Sequence, residues 1–372
     1  MDLQWLRRIA RTEGPFATVY LDASHNTPDA PQQIELSWRR ARADLVDAGA
    51  DDLTLTALDT TMDEVAAAVD RPPGPVGKVL VAAGGSVLLN EWLPRPPEQP
   101  AAHWAHAPHL LPALSQFPEP VTAVVAVVDS GGARLYTGGH AERHDTGRYP
   151  LHQVRGGGLA HLKMRHRVEE NERASAADVA HAIGEAVSAT HADLVVLAGE
   201  TQSRSRVHRA LDRATAPITE EVDAGGLAPG TDNDRLDHEV AAVVDEKTEA
   251  MRRAEAERYA SIAGADDGDG GGAVDGLEAV VEALRAARVG ALYLDIERPP
   301  SARMWIGPDP DQLAAHRDLL TSLGLPANGP VDAADALLRA AAGTGAAFYP
   351  VAGGASELTE GVGAILRAGA VR

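Results

Sequence analysis

Cysteine is absent from the chain. Disulfides and cysteine-ligated metal centres are therefore excluded, and a reducing, intracellular setting is expected. Aromatic residues are only 4% of the 372 positions, so the cores must be built from Val, Leu, Ile and Ala. No apolar run reaches the length of a transmembrane helix. The opening MDLQWLRRIA is too short and too charged for a secretory signal. It predicts a first helix with Leu3, Leu6 and Ile9 on one face. A cytoplasmic protein with no membrane partner is the expectation. Positive charge is also scarce: the formal net charge is -20. Like charges repel at long range, so indiscriminate binding to nucleic acid, DNA included, is disfavoured. A focused basic patch is not excluded, because placement matters more than the sum.

What is present is the composition of a globular protein, 44% hydrophobic and 24% charged. The length suffices for two or three domains. Three blocks are predicted, at 1–118, 119–230 and 231–372. In the first, FATVYLD (16–22) is a strand, two helical stretches follow, and 77–84 and 87–93 are strands around a Gly84-Gly85 turn. A passage with eight prolines between Pro94 and Pro120 then reads as a domain connector. The second block opens on VTAVVAVVD (121–129), a continuous apolar strand covered on both faces. Gly131-Gly132 turns it into a return strand at 133–137. A glycine-rich loop leads into a long helix at 159–190, a buried strand at 193–199, a helix at 207–214 and an edge strand at 218–222. The third block holds a long amphipathic helix at 236–260 and a flexible acidic loop at 265–276. Helices at 277–287, 333–342 and 358–367 then alternate with strands at 291–296 and 345–350. That alternation predicts an α/β sandwich.

The most unusual segment is LHQVRGGGLAHLKMRHRV (151–168). From Arg143 to Arg167 there are six Arg or Lys residues against the single acid Asp145, a local charge of +5. Such a segment can contact phosphates despite the acidic whole. Glycine lets backbone N–H groups approach a ligand without a Cβ clash, and the N-terminus of the following helix adds partial positive charge. Other candidate chemistry is weaker. His103, His106 and His109 have an HxxHxxH spacing that could ligate zinc, but Pro108 breaks the helical register, and satisfied or exposed histidines are expected. Asp22, Ser24 and His25 lie too close in sequence for a catalytic triad and predict an Asx turn. The Asp266-Asp267-Gly-Asp269 run lacks the spacing of a calcium loop. Gly84-Gly85 lacks that of a dinucleotide fingerprint.

The runs AVVAVVDSGGARLYTGG, HQVRGGGLAHLKMRHRVEEN and DLVVLAGETQSRSRVHRAL carry a resemblance. They resemble the middle domain of the archaeal and eukaryotic class 1 release factors and of Pelota. The family loop is R-G-G-Q-S, and Arg155, Gly156 and Gly157 match its first three positions. Leu162, Arg165, Glu169, Glu170 and Asn171 resemble the basic helix that follows. Leu197-Ala198-Gly199 resembles the family's "GLVLAG", and 361–367 its closing "GGIGAILR". The chain is identified as a member of the bacterial archaeo-eukaryotic release factor group, which includes Balon-type ribosome hibernation factors.

The resemblance implies a three-domain release-factor/Pelota-like α/β protein. Its central domain would hold a mixed, RNase H-like sheet and its last domain an α/β sandwich. It implies a tRNA mimic in the ribosomal A site, with elongation factor Tu or another translational GTPase as partner. The loop Arg155, Gly156, Gly157 and Gly158, with His161, Lys163, Arg165 and Arg167, would meet ribosomal RNA. No cofactor or metal is implied. Two departures qualify this. Gly158 stands where the family's water-placing glutamine would be, and glycine has no side chain to orient water. The N-I-K-S and Y-x-C-x-x-x-F stop-codon motifs are missing. A non-catalytic hibernation factor is therefore expected. The alternatives are a peptidyl-tRNA hydrolase or rescue factor, in which His161 or a backbone amide replaces the glutamine, and a stress protein with a non-ribosomal partner.

Overall fold

The computed structural model describes residues 3, 6–24, 30–67, 75–117, 121–129, 132–138, 144–149, 161–226, 234–263, 272–351 and 358–367. Side chains of 132, 138, 144–149 and 161–175 lie outside that description. The chain divides into two compact units. One comprises Met1–Phe117 with Arg252–Arg372, the other Pro118–Met251.

The first unit begins with α1 (Arg7–Arg11), β1 (Phe16–Asp22), α2 (Ala30–Asp47), α3 (Asp52–Ala67), β2 (Gly77–Ala83), β3 (Ser86–Leu93), β4 (Ala101–Ala105) and α4 (Leu111–Leu114). The strands form an antiparallel sheet in the order β3-β2-β1-β4. Alternation along β1 divides its side chains between two cores. Ala17, Val19 and Leu21 pack under α2 and α3 with Ile34, Trp38, Leu45 and Leu58. Phe16 and Tyr20 enter a second core, shared with the C-terminal part of the same unit. Gly84 and Gly85 take positive φ values of 54° and 76°, which suits the tight turn joining β2 to β3.

The proline-rich passage is more than a connector. Between its prolines lies β4, which pairs with β1 from Phe16↔Ala105 to Tyr20↔Ala101. Ala113 and Leu114 of α4 are fully buried. Proline breaks interior helices and strands, but these prolines flank β4, and Pro112 occupies the first turn of α4, where no N–H is needed.

The second unit holds β5 (Ala123–Asp129), β6 (Gly132–Gly138), β7 (His144–Tyr149), α5 (His161–Thr190), β8 (Leu194–Gly199), α6 (Thr201–Ala210) and β9 (Thr219–Glu221). Its sheet order is β7-β6-β5-β8-β9. It is a mixed sheet: β8 runs parallel to both β5 and β9, while β6 is antiparallel to β5 and β7. The two-sided burial expected of β5 is present. Val124, Ala126 and Val128 face one core, and Ala123, Val125 and Val127 face the other. The helix expected at 207–214 instead starts at Thr201, because the polar run TQSRSR hides its first two turns.

The helix α7 (Asp234–Ala263) crosses the border between the units. Leu236, Val240 and Val244 join the second unit's core, and Tyr259 joins a core of the first unit. After it come β10 (Ala273–Asp275), α8 (Leu277–Arg285), β11 (Val289–Asp295), β12 (Arg303–Ile306), β13 (Leu313–Ala314), α9 (Arg317–Ser322), β14 (Asn328–Asp332), α10 (Ala333–Thr344), β15 (Ala347–Val351) and β16 (Val362–Leu366). The main sheet is β10-β16-β11-β15, and β13-β12-β14 is a separate small sheet. The helix expected at 358–367 is a strand. β16 pairs with both β10 and β11, and Val362 and Ala364 are fully buried. A short apolar run cannot be told from a helix by period alone, and here the sheet claims it. The α/β class expected from the sequence is the one observed. Among the described residues, no helix is long and apolar enough to cross a membrane.

One buried charge gives a pH signature. Lys78 is only 4% exposed and lies over the Trp92 ring at 4.1 Å. Burial pushes its ammonium down from 10.5 to about 8, against the opposing charge of Glu91. The unfolded chain therefore binds the proton more tightly between about pH 8 and 10.5. This residue's contribution to stability should rise with pH through that window. Urea denaturation across that range should show the Lys78→Met variant losing this rise while remaining folded.

Candidate nucleic-acid interface

The mixed sheet fixes one half of α5. Ala176, Val179, Ala180 and Ile183 recur at helical spacing and pack on Val124, Ala126, Val195 and Leu197. From Ala176 back to His161 the helix runs for about 22 Å at 1.5 Å per residue. Its first turn carries no acidic residue to offset the partial positive charge of a helix N-terminus. Of the residues singled out from the sequence, His161, Lys163, Arg165 and Arg167 lie in this amino-terminal half of α5; their side chains are outside the described residues. Arg155, Gly156, Gly157 and Gly158 also fall outside the described residues, between β7 and α5. The acidic loop at 265–269 and His25 do as well.

Not every cation in the unit is available to a ligand. Arg204 on α6 is buried, and its guanidinium donates to the Val222 carbonyl and to Asp223. His208 pairs with Glu221 at 2.6 Å. These contacts tie α6 to β9 and its continuation, which is a structural role.

Of the three spaced histidines, two come together in the fold. His103 lies on β4, and its ring centroid is 4.4 Å from that of His109. Burial lowers the pKa of both His103 and His106. Asp22 accepts a hydrogen bond from the Ser24 N–H at 2.9 Å, the expected Asx turn.

His109 has a partner that sequence reading missed. Its Nδ1 is 2.9 Å from Oδ2 of Asp335, 226 positions away on the first turn of α10. Its backbone is held too: its carbonyl accepts from the Tyr20 hydroxyl at 2.6 Å, and its N–H donates to Thr18 Oγ1 at 3.1 Å. Burial disfavours a charged imidazole, but the hydrogen bond and charge of Asp335 outweigh it and raise the His109 pKa. Burial raises that of Asp335, against His109. Asp335 is 4% exposed, and its Oδ1 makes no hydrogen bond of ordinary geometry. Asp332 completes the group, with one ligand-type atom of each residue within 4.8 Å of the others. No sequence signal joins these residues, because the two carboxylates reach His109 only through the tertiary fold.

Comparison with known proteins places the chain among relatives. Residues 122–265 match the sequence model of bacterial archaeo-eukaryotic release factor family 2. The uncharacterized protein Rv2629 of Mycobacterium tuberculosis strain H37Rv is 31% identical over 368 residues, covering 97% of this chain and 96% of its own. Among solved structures, Archaeoglobus fulgidus Pelota covers 98% of the chain and 92% of its own at 13% identity, with a TM-score of 0.39. A ribosome-bound archaeal Pelota covers 98% and 93% at 13% identity, with a TM-score of 0.42.

Proposed function

The chain belongs to the bacterial archaeo-eukaryotic release factor family, and from that premise we propose that it is a ribosome-binding hibernation factor. In this reading it occupies the A site under stress as a tRNA mimic and does not cut peptidyl-tRNA. The observation that carries the reading is the local charge of +5 between Arg143 and Arg167 in a chain of net charge -20. Cations gathered around three glycines suit close approach to folded RNA, which is recognised largely by shape. The acidic remainder repels RNA elsewhere and so favours one docking mode. The basic residues of α5 precede Ala176, the first of the described α5 side chains that pack on the sheet. Elongation factor Tu, or a related translational GTPase, is the delivery partner in this reading.

The test is cosedimentation with purified bacterial ribosomes over a salt series. About four phosphate contacts would weaken binding roughly 50- to 150-fold for a fourfold rise in salt. Binding that does not respond to salt would argue against a phosphate-dominated interface. Proteins recovered from cells on the tagged chain should include ribosomal proteins. A recovery without them would favour a non-ribosomal partner.

The non-catalytic part of the reading rests on Gly158, which has no group to place a water or to stabilise developing charge. Saturating protein added to ribosomes carrying labelled peptidyl-tRNA should release no peptide above the blank. Release that is lost in a His161→Ala variant would instead establish a hydrolase.

A further inference from the structure

We propose that His109, Asp332 and Asp335 form a binding site for a divalent transition cation of the Zn2+ class, with one coordination position left open. Three features carry it. The first is the donor set. One imidazole and two carboxylates are a common zinc combination, and three protein ligands leave a fourth position for water or another ligand. Imidazole favours such ions over Mg2+ or Ca2+, which prefer all-oxygen surroundings.

The second is spacing. Ligands about 2.1 Å from a common ion stand about 3.0–3.4 Å apart. His109 Nδ1 and Asp335 Oδ2 are 2.9 Å apart, close to that separation. Asp332 falls within 4.8 Å of the pair and must swing inward by about 1–2 Å to complete the set. It can do so. It is exposed, it occupies the N-cap position of α10, and it makes no capping hydrogen bond that the movement would break. Its present partner is Arg303, which bonds only one of its oxygens and also has the Pro330 carbonyl.

The third feature is independent of spacing. Asp335 Oδ1 is buried and makes no hydrogen bond of ordinary geometry, while the other oxygen of the same carboxylate faces His109 and the Leu110 backbone N–H lies near enough to favour the ionised carboxylate. A buried carboxylate oxygen without a donor is costly, and a cation beside His109 that Asp335 chelates through both oxygens would satisfy it. His109 and His103 both line a cavity of about 540 Å³, together with Tyr20, Arg95 and Gln99. His109 thus belongs to the cavity wall and to the carboxylate cluster at once. The backbone contacts from Tyr20 and Thr18 hold it in register for both. An ion here would join β4's following loop to the start of α10, two segments of the same unit.

The experiment uses the full chain, stripped with chelator and titrated with ZnCl2 by calorimetry and by thermal melting. The chain has 14 histidines, so variants decide which signal belongs to this site. One Zn2+ should bind per chain and raise the melting temperature. Asp335→Asn should lower the affinity at least tenfold. That buried substitution can also disturb the fold, so Asp332→Asn is the second variant. It should melt like the parent without metal and lose the Zn2+-induced shift. No saturable binding by the parent, or an undiminished shift in Asp332→Asn, would overturn the proposal and leave His109–Asp335 as a plain buried ion pair.

Discussion

Replacing Arg155, Lys163, Arg165 and Arg167 together by glutamate should abolish cosedimentation with ribosomes at physiological salt. The four substitutions change the local charge of the 143–167 segment from +5 to -3. If each cation neutralises about one phosphate, the loss of attraction alone costs about a hundredfold, and the new repulsion adds to it. The fold should survive. Among the described side chains, the α5 residues that build the core begin at Ala176, beyond the last of the altered positions. A melting temperature within a few degrees of the parent would confirm that binding, and not folding, was lost. Single substitutions should each produce a smaller loss and a shallower salt dependence. Unchanged sedimentation of the fourfold variant would remove the basis of the proposed interface.

The second large effect concerns the scaffold. Gly199 ends β8 with φ +104°, and an added Cβ would stand 2.0 Å from the Val128 carbonyl oxygen. That oxygen cannot withdraw easily, because it accepts from the Glu200 N–H at 2.8 Å. Gly199→Ala therefore combines a disfavoured backbone conformation with a clash against the neighbouring parallel strand. It should destabilise the second unit by about 4 kcal/mol, at the upper end of single-substitution effects. The sequence supplies a selective readout. All five tryptophans, at 5, 38, 92, 104 and 305, belong to the first unit. In urea, the circular dichroism transition should split or shift early, while the tryptophan fluorescence transition stays in place. If the two transitions move together, the units unfold as one.

Elements with an unambiguous local pattern were legible in advance. FATVYLD and VTAVVAVVD are long enough and apolar enough to be strands, and β1 and β5 occupy those positions. The Gly84-Gly85 turn followed from the conformational demand of a tight hairpin. The failures have a common cause, which is tertiary pairing. Residues 362–366 became a strand because β10 and β11 offer hydrogen-bonding edges on either side, a fact absent from the local sequence. β4 was hidden by flanking prolines, although the strand itself contains none. The small sheet of β12, β13 and β14 was not anticipated, since its strands are only four, two and five residues long.

The candidate interface was readable because it is a contiguous run of charge and glycine. The His109 group was not. Its spacing to His103 and His106 pointed only to satisfied or exposed histidines, whereas its partner is a carboxylate supplied by a helix 226 residues later. A contiguous loop announces itself in one dimension, and an assembled site needs the fold.

In the proposed function the glycine-rich loop and the basic start of α5 meet ribosomal RNA in the A site. Cryo-electron microscopy of ribosomes incubated with the full chain tests it most directly. Density for the chain is expected in the A site, with residues 155–158 directed toward the peptidyl transferase centre and the start of α5 against RNA phosphates. Ribosomes with a vacant A site at saturating protein, or with the chain bound through another surface, would contradict it.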